Sequence, residues 1–222
     1  EARHVCTGAL SPIPMAAALL AQRRARGDMR VTVLGSRRHS RFTDGAKELF
    51  DCAAQGRIDV FFLSGAQIDA EANINLAGLG DPDRPRMRFA GSFGSPYLYM
   101  LVPRVILFRP VHDRRGLVPR VDYVSAPGWS PPEVHRPGGP QALVTGRCVF
   151  DWRRDHRRFA LRSAHPGETA ATIRDATGFG YDAPDPVPAT PPPDAATRAE
   201  IAAIVREEVA ETYPRFAEDF RA

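Results

Sequence analysis

Two apolar, strand-like runs with helical stretches between them constrain this chain most. Residues 29–34 are rich in β-branched side chains, and Val60-Phe61-Phe62-Leu63 is apolar at every position. A strand without polar alternation is covered on both faces, as in a parallel sheet. Residues 44–54 read as a helix with Leu49, Phe50 and Ala53 on its inner face and Gln55-Gly56 as its end. Ahead of these, His4-Val5-Cys6 reads as another short strand, followed by a turn at Thr7-Gly8-Ala9-Leu10. Ser11 then caps a helix with Pro12 at its first position. That helix is Ala- and Leu-rich over 15–25, has Arg23, Arg24 and Arg26 in its last turn, and stops at Gly27. The alternation predicts an α/β fold, a single-domain open sheet that is largely parallel with helices on both faces.

Residues 64–103 are rich in Gly, Asn, Asp and Pro and predict a long irregular stretch of the binding-loop kind. Strands are expected over 104–108, 120–124, 142–145, 148–152 and 158–162, with short turns that imply antiparallel pairs in the C-terminal half. A helix follows His165-Pro166-Gly167 over 168–176 and stops at Gly178. Pro184, Pro186, Pro188, Pro191, Pro192 and Pro193 form a stiff linker. A last helix starts at Asp194, with Ile201, Ile204, Val205 and Val209 at helical spacing. The expected division is an α/β domain over 1–182 and a linker with a helix over 183–222 that packs on the domain or on a partner.

The chain has 222 residues, of which 43% are hydrophobic, enough for one substantial core. No run approaches the roughly 20 apolar residues of a membrane helix. The chain begins at Glu1 without a basic-then-apolar leader, so a cytoplasmic location is expected. Cys6, Cys52 and Cys148 are odd in number and widely spaced, which predicts free thiols acting as small hydrophobes. Lys47 is the only lysine, so the net charge of +4 rests on arginine. The pairs Arg23-Arg24, Arg37-Arg38, Arg114-Arg115, Arg153-Arg154 and Arg157-Arg158 are scattered and lack interleaved aromatics. They predict solvated faces and no nucleic-acid surface, with one pair able to meet an anionic ligand. Lys47 follows Ala46, so there is no phosphate loop, and Gly78-x-Gly80 lacks the third glycine of a dinucleotide fingerprint. No Gly-x-Ser-x-Gly elbow and no His-Glu-x-x-His pair occurs, so neither that nucleophile nor a metal site is expected.

Three segments carry a resemblance. They are Gly65-Ala66-Gln67-Ile68-Asp69 with Asn73-Ile74-Asn75, Pro85-x-x-Arg88-x-x-Gly91-Ser92-x-Gly94, and His165-Pro166-Gly167 with Ala176-Thr177-Gly178-Phe179. Residues 120–128, Gly138-Gly139-Pro140 and Val144-Thr145 add to them. In this order the segments resemble class I CoA transferases, in the branch of the glutaconate CoA-transferase β subunits, which includes ring-opening CoA hydrolases. The resemblance covers about residues 7–181. It implies a homologous α subunit as partner, often in a heterotetramer, and a coenzyme A thioester as substrate with no tightly bound cofactor. It also implies a β-chain glutamate that attacks the thioester, forming an acyl anhydride and then an enzyme-CoA thioester.

In that scheme Gln67, Asn73 and Asn75 are substrate-binding amides, and Gly91, Ser92 and Gly94 bring bare main chain to a thioester oxyanion. The alternatives are that Asn73 and Asn75 satisfy loop backbone and that the glycine segment is a tight turn. Asp69 reads as a structural turn acceptor and His165 as a packed histidine. The family usually has glycine where Ala72 stands. Its glutamate follows the strand equivalent to 29–34, but here the loop reads Gly35-Ser36-Arg37-Arg38-His39-Ser40, with no glutamate before Glu48. Three functions follow: a transferase whose nucleophile lies in the partner, a hydrolase or ring-opening lyase in which an acidic residue of the α subunit activates water while Ser36, His39 or Ser40 orients the substrate, and a non-catalytic β chain.

Overall fold

A computed structural model describes residues 2–25 and 28–220. The expected last-turn Arg26 and the stop at Gly27 lie outside the described residues. The chain divides into two compact units, Glu1–Phe62 with Pro192–Ala222, and Leu63–Pro191.

The first unit opens with β1 (His4–Thr7), α1 (Pro12–Arg24), β2 (Arg30–Val33), α2 (Gly45–Ala54) and β3 (Val60–Leu63). β1 pairs in parallel with both β2 and β3, so that Val5 faces Val31 on one side and Val60 on the other. Val5, Cys6 and Thr7 are accordingly buried. α1 lies against β1 and β2 and buries Met15, Ala18 and Leu19. Ser11 occupies the N-cap position, yet its side chain makes no capping bond. Its backbone N–H donates instead to the Tyr213 hydroxyl at 3.2 Å. In α2 the Glu48 carboxylate turns back to accept the Thr43 and Asp44 N–H groups at 2.5 and 3.1 Å. Those bonds cap the helix and use up Glu48.

In the second unit the segment expected to be irregular holds small elements. β4 (Gln67–Ile68) pairs with β5 (Ile74–Asn75), β6 (Gly78–Gly80) pairs with β7 (Pro85–Arg88), and α3 spans Ser95–Leu101. Strands of two to four residues are too short for periodicity to register. β8 (Arg104–Arg109) runs parallel to β9 (Pro140–Thr145), and β10 (Cys148–Arg153) then pairs antiparallel with β9 and with β11 (Arg158–Ala164). The strand expected at 120–124 does not form. Its donors are taken by side chains: Val121 N–H by Asp69 at 3.2 Å and Asp122 N–H by Gln67 at 2.9 Å. α4 (Ala170–Ala176) starts two residues later than expected, behind a reciprocal cap between Thr169 and Thr172. The proline-rich segment lies along β11, where Leu161 N–H donates to Asp182 O and Ala164 N–H to Pro188 O at 2.9 Å. Proline lacks a donor but keeps its carbonyl, which suits an edge position.

The chain returns to the first unit through α5 (Ala195–Ile204), a π-helical turn (Val205–Val209), α6 (Ala210–Thr212) and α7 (Pro214–Asp219). Asp194 caps α5 by accepting Thr197 N–H at 2.7 Å. α5 and the π-turn pack on α1, with Ile204, Val205 and Val209 buried. The Tyr213 hydroxyl donates to Ala9 O at 2.9 Å and anchors the end of α6 to the turn after β1. Tyr213→Phe is expected to cost about 1 kcal/mol of this unit's stability, since it leaves Ser11 N–H and Ala9 O without their partner. Urea unfolding of the variant beside the parent measures it, and an unchanged midpoint refutes the anchoring role. The whole is a mixed α/β chain with parallel ladders in both units and antiparallel strands towards the C-terminus.

Candidate functional site

The sequence-predicted amides of the second unit lie close together. Asn75 is fully buried, and both ends of its amide are engaged: Nδ2 donates to Gln67 Oε1 and to Gly78 O, each at 2.7 Å, and Oδ1 accepts Ala77 N–H at 3.0 Å. Asn73 donates from Nδ2 to Asp69 Oδ2 at 3.2 Å and accepts Gly128 N–H on Oδ1 at 3.0 Å. Gln67 Oε1 accepts from Asn75 and from Asp122 N–H. Asp69, 2% exposed, accepts four hydrogen bonds and ties the β4–β5 turn to residue 121. These side chains hold three loops in a fixed relation.

Ala72, at the tip of that turn, has φ 59° and no exposed surface. An alanine there bears the strain that a glycine avoids. Tyr99 holds the turn by donating its hydroxyl to Ala72 O at 2.9 Å. A side chain at Gly128 would place its Cβ 2.1 Å from Glu71 O, so the Gly128 backbone closes against this turn as only glycine can. Gly91-Ser92-Phe93-Gly94 follows β7 as a turn with φ 100° at Gly91 and 47° at Phe93. Phe93 is a large side chain in a left-handed conformation and is 73% exposed. Strain of this sort persists where surrounding structure fixes it, and it collects at ligand-binding loops.

The other sequence candidates, Ser36 and His39, lie in the first unit, directly after β2. Ser36 is 3% exposed; its hydroxyl donates to Glu211 Oε2 at 2.8 Å and accepts the His39 N–H at 3.0 Å. Glu211 also accepts Arg37 N–H at 3.0 Å, and these bonds with Thr212 hold its carboxyl below the ordinary carboxylate value. His39 Nε2 lies 3.1 Å from Glu208 Oε2, an ion-pair contact outside aligned hydrogen-bond geometry. Glu208 is 9% exposed and also meets Arg23 at 2.7 Å. Sequence reasoning named Ser36 and His39 but missed Glu208 and Glu211. The signal was present: Glu208 is a charge on the stripe of Ile204, Val205 and Val209, four residues after Ile204. Among the described residues Ser40 bonds through its main chain, Ser40 N–H donating to Ser36 O at 3.1 Å.

His165 is packed, with Nδ1 on Thr190 Oγ1 and Nε2 on Thr145 O, each at 3.0 Å. Cys6 and Cys148 are buried and Cys52 half-buried, all unpaired. Among the described residues no cluster of His, Cys, Asp and Glu is arranged to hold a metal, and no helix is long and apolar enough to cross a membrane.

Parallel ladders in each unit, with antiparallel strands towards the C-terminus, define an α/β protein. The sequence pattern of the family described as coenzyme A transferase matches residues 12–176, and the chain belongs to that family. It is 29% identical over 157 residues to the B subunit of the glutaconate CoA-transferase of Acidaminococcus fermentans, covering 68% of this chain and 56% of the relative. It is also 29% identical over 135 residues to the cholesterol ring-cleaving hydrolase IpdB subunit of Mycobacterium tuberculosis, covering 59% of this chain and 53% of that one. The chain thus spans a little over half the length of these relatives. The solved decarboxylase AibA/AibB superposes with a TM-score of 0.77 at 28% identity, covering 90% of this chain and 86% of that one. The solved glutaconate CoA-transferase shares the fold, with a TM-score of 0.80 at 23% identity and coverage of 99% and 92%.

Proposed function

We propose that this chain is the β-type subunit of a heteromeric enzyme that acts on the acyl-CoA thioester of a carboxylic acid, dicarboxylic and oxo acids included. A homologous α-type chain completes its site. The observation that carries this reading is the Gly91–Gly94 turn, left-handed at Gly91 and Phe93, in the same unit as a network that consumes its own amides. Main-chain N–H groups at Gly91, Ser92 and Gly94 stabilise the charge that develops on a thioester oxygen. Gln67, Asn73 and Asn75 contribute to the substrate site chiefly by fixing the loops that line it. The substrate is the CoA thioester itself, and no resident cofactor enters the scheme.

A second reading, hydrolysis instead of transfer, is favoured by one feature. No glutamate lies between β2 and α2, and Glu48 is spent as a helix cap. The relatives reflect this range, since one is named a transferase, one a hydrolase and one a decarboxylase. A chain that only supports an active α subunit is the third possibility.

The test is to produce the chain with an α-type partner and supply succinyl-CoA, glutaryl-CoA and glutaconyl-CoA. Consumption of the thioester is expected from the pair and not from either chain alone. Conversion of an added acceptor acid into its own CoA thioester supports transfer, and free CoA appearing without an acceptor supports hydrolysis. Pairs that leave every thioester intact overturn the reading.

A further inference from the structure

We propose that the cleft of the second unit lined by Trp129, Trp152, Arg136, Arg154 and Arg157 binds a nucleoside phosphate. The inference goes beyond the acyl-CoA reading and does not depend on it.

Every residue of this cleft lies within Leu63–Pro191, so one unit builds it. β9 begins at Pro140 and runs parallel to β8, and the β10–β11 turn carries Arg154 and Arg157 to the same end. The cleft therefore opens where the parallel strands start, whereas α/β sheets take their principal ligands at the carboxyl ends. Its volume is about 340 Å³, which admits one nucleotide and no strand of nucleic acid. Three guanidinium groups line it against one carboxylate, Asp155. Among the described residues none of the three has a carboxylate within ion-pair distance. Arg136 donates to Gly138 O, Ser130 Oγ and Tyr99 O at 3.3, 3.2 and 3.3 Å. Arg154 donates to Arg136 O and Gly138 O at 3.0 and 3.2 Å. These neutral acceptors fix the two side chains and leave both charges uncompensated. Burial lowers the Arg136 pKa, and Arg154 lowers it further against an upward pull from Tyr99. An anion seated between the two arginines relieves their repulsion.

The tryptophans decide what the anion is attached to. The Arg157 guanidinium lies 3.7 Å from the centre of the Trp129 ring, placed there from a left-handed backbone with φ 48°. Arg157 is exposed, so its fork reaches an incoming phosphate. Trp129 is half-buried, and Trp152 is buried and set edge-on to Phe159 at 5.0 Å. A rigid indole edged by guanidinium groups stacks a planar base, and the guanidinium forks take the phosphate that the base carries. Inorganic phosphate meets the arginines but leaves the indole unused. Two molecules present the required chemistry: a free adenine nucleotide and the nucleotide end of coenzyme A.

Trp129 and Trp152 are the only tryptophans of the chain, so its indole fluorescence reports on this cleft alone. The full chain is titrated with AMP, adenosine 3′,5′-bisphosphate, CoA and inorganic phosphate, with excitation beyond the adenine band. Saturable quenching is expected from the nucleotides, with inorganic phosphate binding more weakly by about ten-fold or more. Arg154→Gln and Arg157→Gln are each expected to weaken nucleotide binding by about ten-fold or more. Arg115→Gln, at an exposed arginine of the same unit, is expected to change nothing. Quenching by CoA that matches the bisphosphate assigns the cleft to the nucleotide end of coenzyme A, and quenching by AMP that CoA does not match assigns it to a free nucleotide. Fluorescence unmoved by any nucleotide at millimolar concentration, or moved equally by inorganic phosphate, overturns the proposal. Binding is read here without turnover, so that outcome leaves the acyl-CoA reading in place, and a pair of chains inert towards thioesters leaves the cleft in place.

Discussion

Asp69→Ala is expected to remove about 3–5 kcal/mol of stability from the second unit, the cost of stripping a buried acceptor from several donors at once. Asp69 Oδ1 accepts the Glu71 and Asn73 N–H groups, each at 3.0 Å, and Oδ2 accepts Asn73 Nδ2 and Val121 N–H, each at 3.2 Å. Three of the four are buried and the bond from Glu71 is part-buried, with Asp69 itself 2% exposed. Alanine leaves three main-chain donors and one amide without partners. Water admitted by the smaller side chain has little room, because the Gly128 backbone already closes on Ala72. Asp69→Asn keeps the shape and one acceptor but turns an NH₂ towards donors, so it should fall between alanine and the parent. Urea unfolding of the three proteins measures the series. A loss below about 1 kcal/mol in the alanine variant, the value of one ordinary hydrogen bond, removes Asp69 as the tie of these loops. On the acyl-CoA reading proposed above, the same variant should also lose turnover of the thioester, since the β4–β5 turn would no longer be held.

Local patterns made most of the fold legible. The apolar run of β3, the Ala-rich α1 and the spacing of Ile204, Val205 and Val209 each follow from burial of one face, and each element formed within a residue or two of its expected place. The strand expected at 120–124 failed for a non-local reason: its donors are claimed by Asp69 and Gln67, more than fifty residues earlier. No window of sequence carries that competition. The candidate site was legible in part. Ser36 and His39 were marked by the absence of the expected glutamate, whereas Glu208 and Glu211 reach them from about 170 residues away. Their approach depends on a π-turn, and nothing in helix periodicity announces one. Gln67, Asn73 and Asn75 were visible as polar residues in an apolar context, but only the geometry shows that their amides face one another and their own loops.

His112 should make the second unit acid-labile in a defined window. The ring is 6% exposed, with Nδ1 2.9 Å from Thr145 Oγ1 and Nε2 2.9 Å from Thr177 Oγ1. Thr177 spends its hydroxyl proton on Ile173 O at 2.7 Å, so Nε2 must donate to it. Thr145 Oγ1 already accepts the Arg147 and Cys148 N–H groups, so a second ring proton on Nδ1 would be left with only the weak acceptor Cys148 Sγ, 3.8 Å away. Burial, with Arg147 nearby, carries the His112 pKa down from 6.5 to about 4. Between those values the unfolded chain binds a proton that the folded chain refuses. The stability contributed by neutral His112 is therefore complete above about pH 6.5 and is lost as the pH falls towards 4, by about 3 kcal/mol in all. His4 and His39 are also lowered, chiefly by burial, and steepen the parent's profile. The decisive comparison is with His112→Gln, which keeps a donor and an acceptor but cannot titrate. Unfolding in urea at pH 7, 5.5 and 4.5 should show the parent losing stability faster than the variant, by close to one proton in slope. Parallel profiles would mean that the ring is charged within the fold, and that one of the two threonines has turned away.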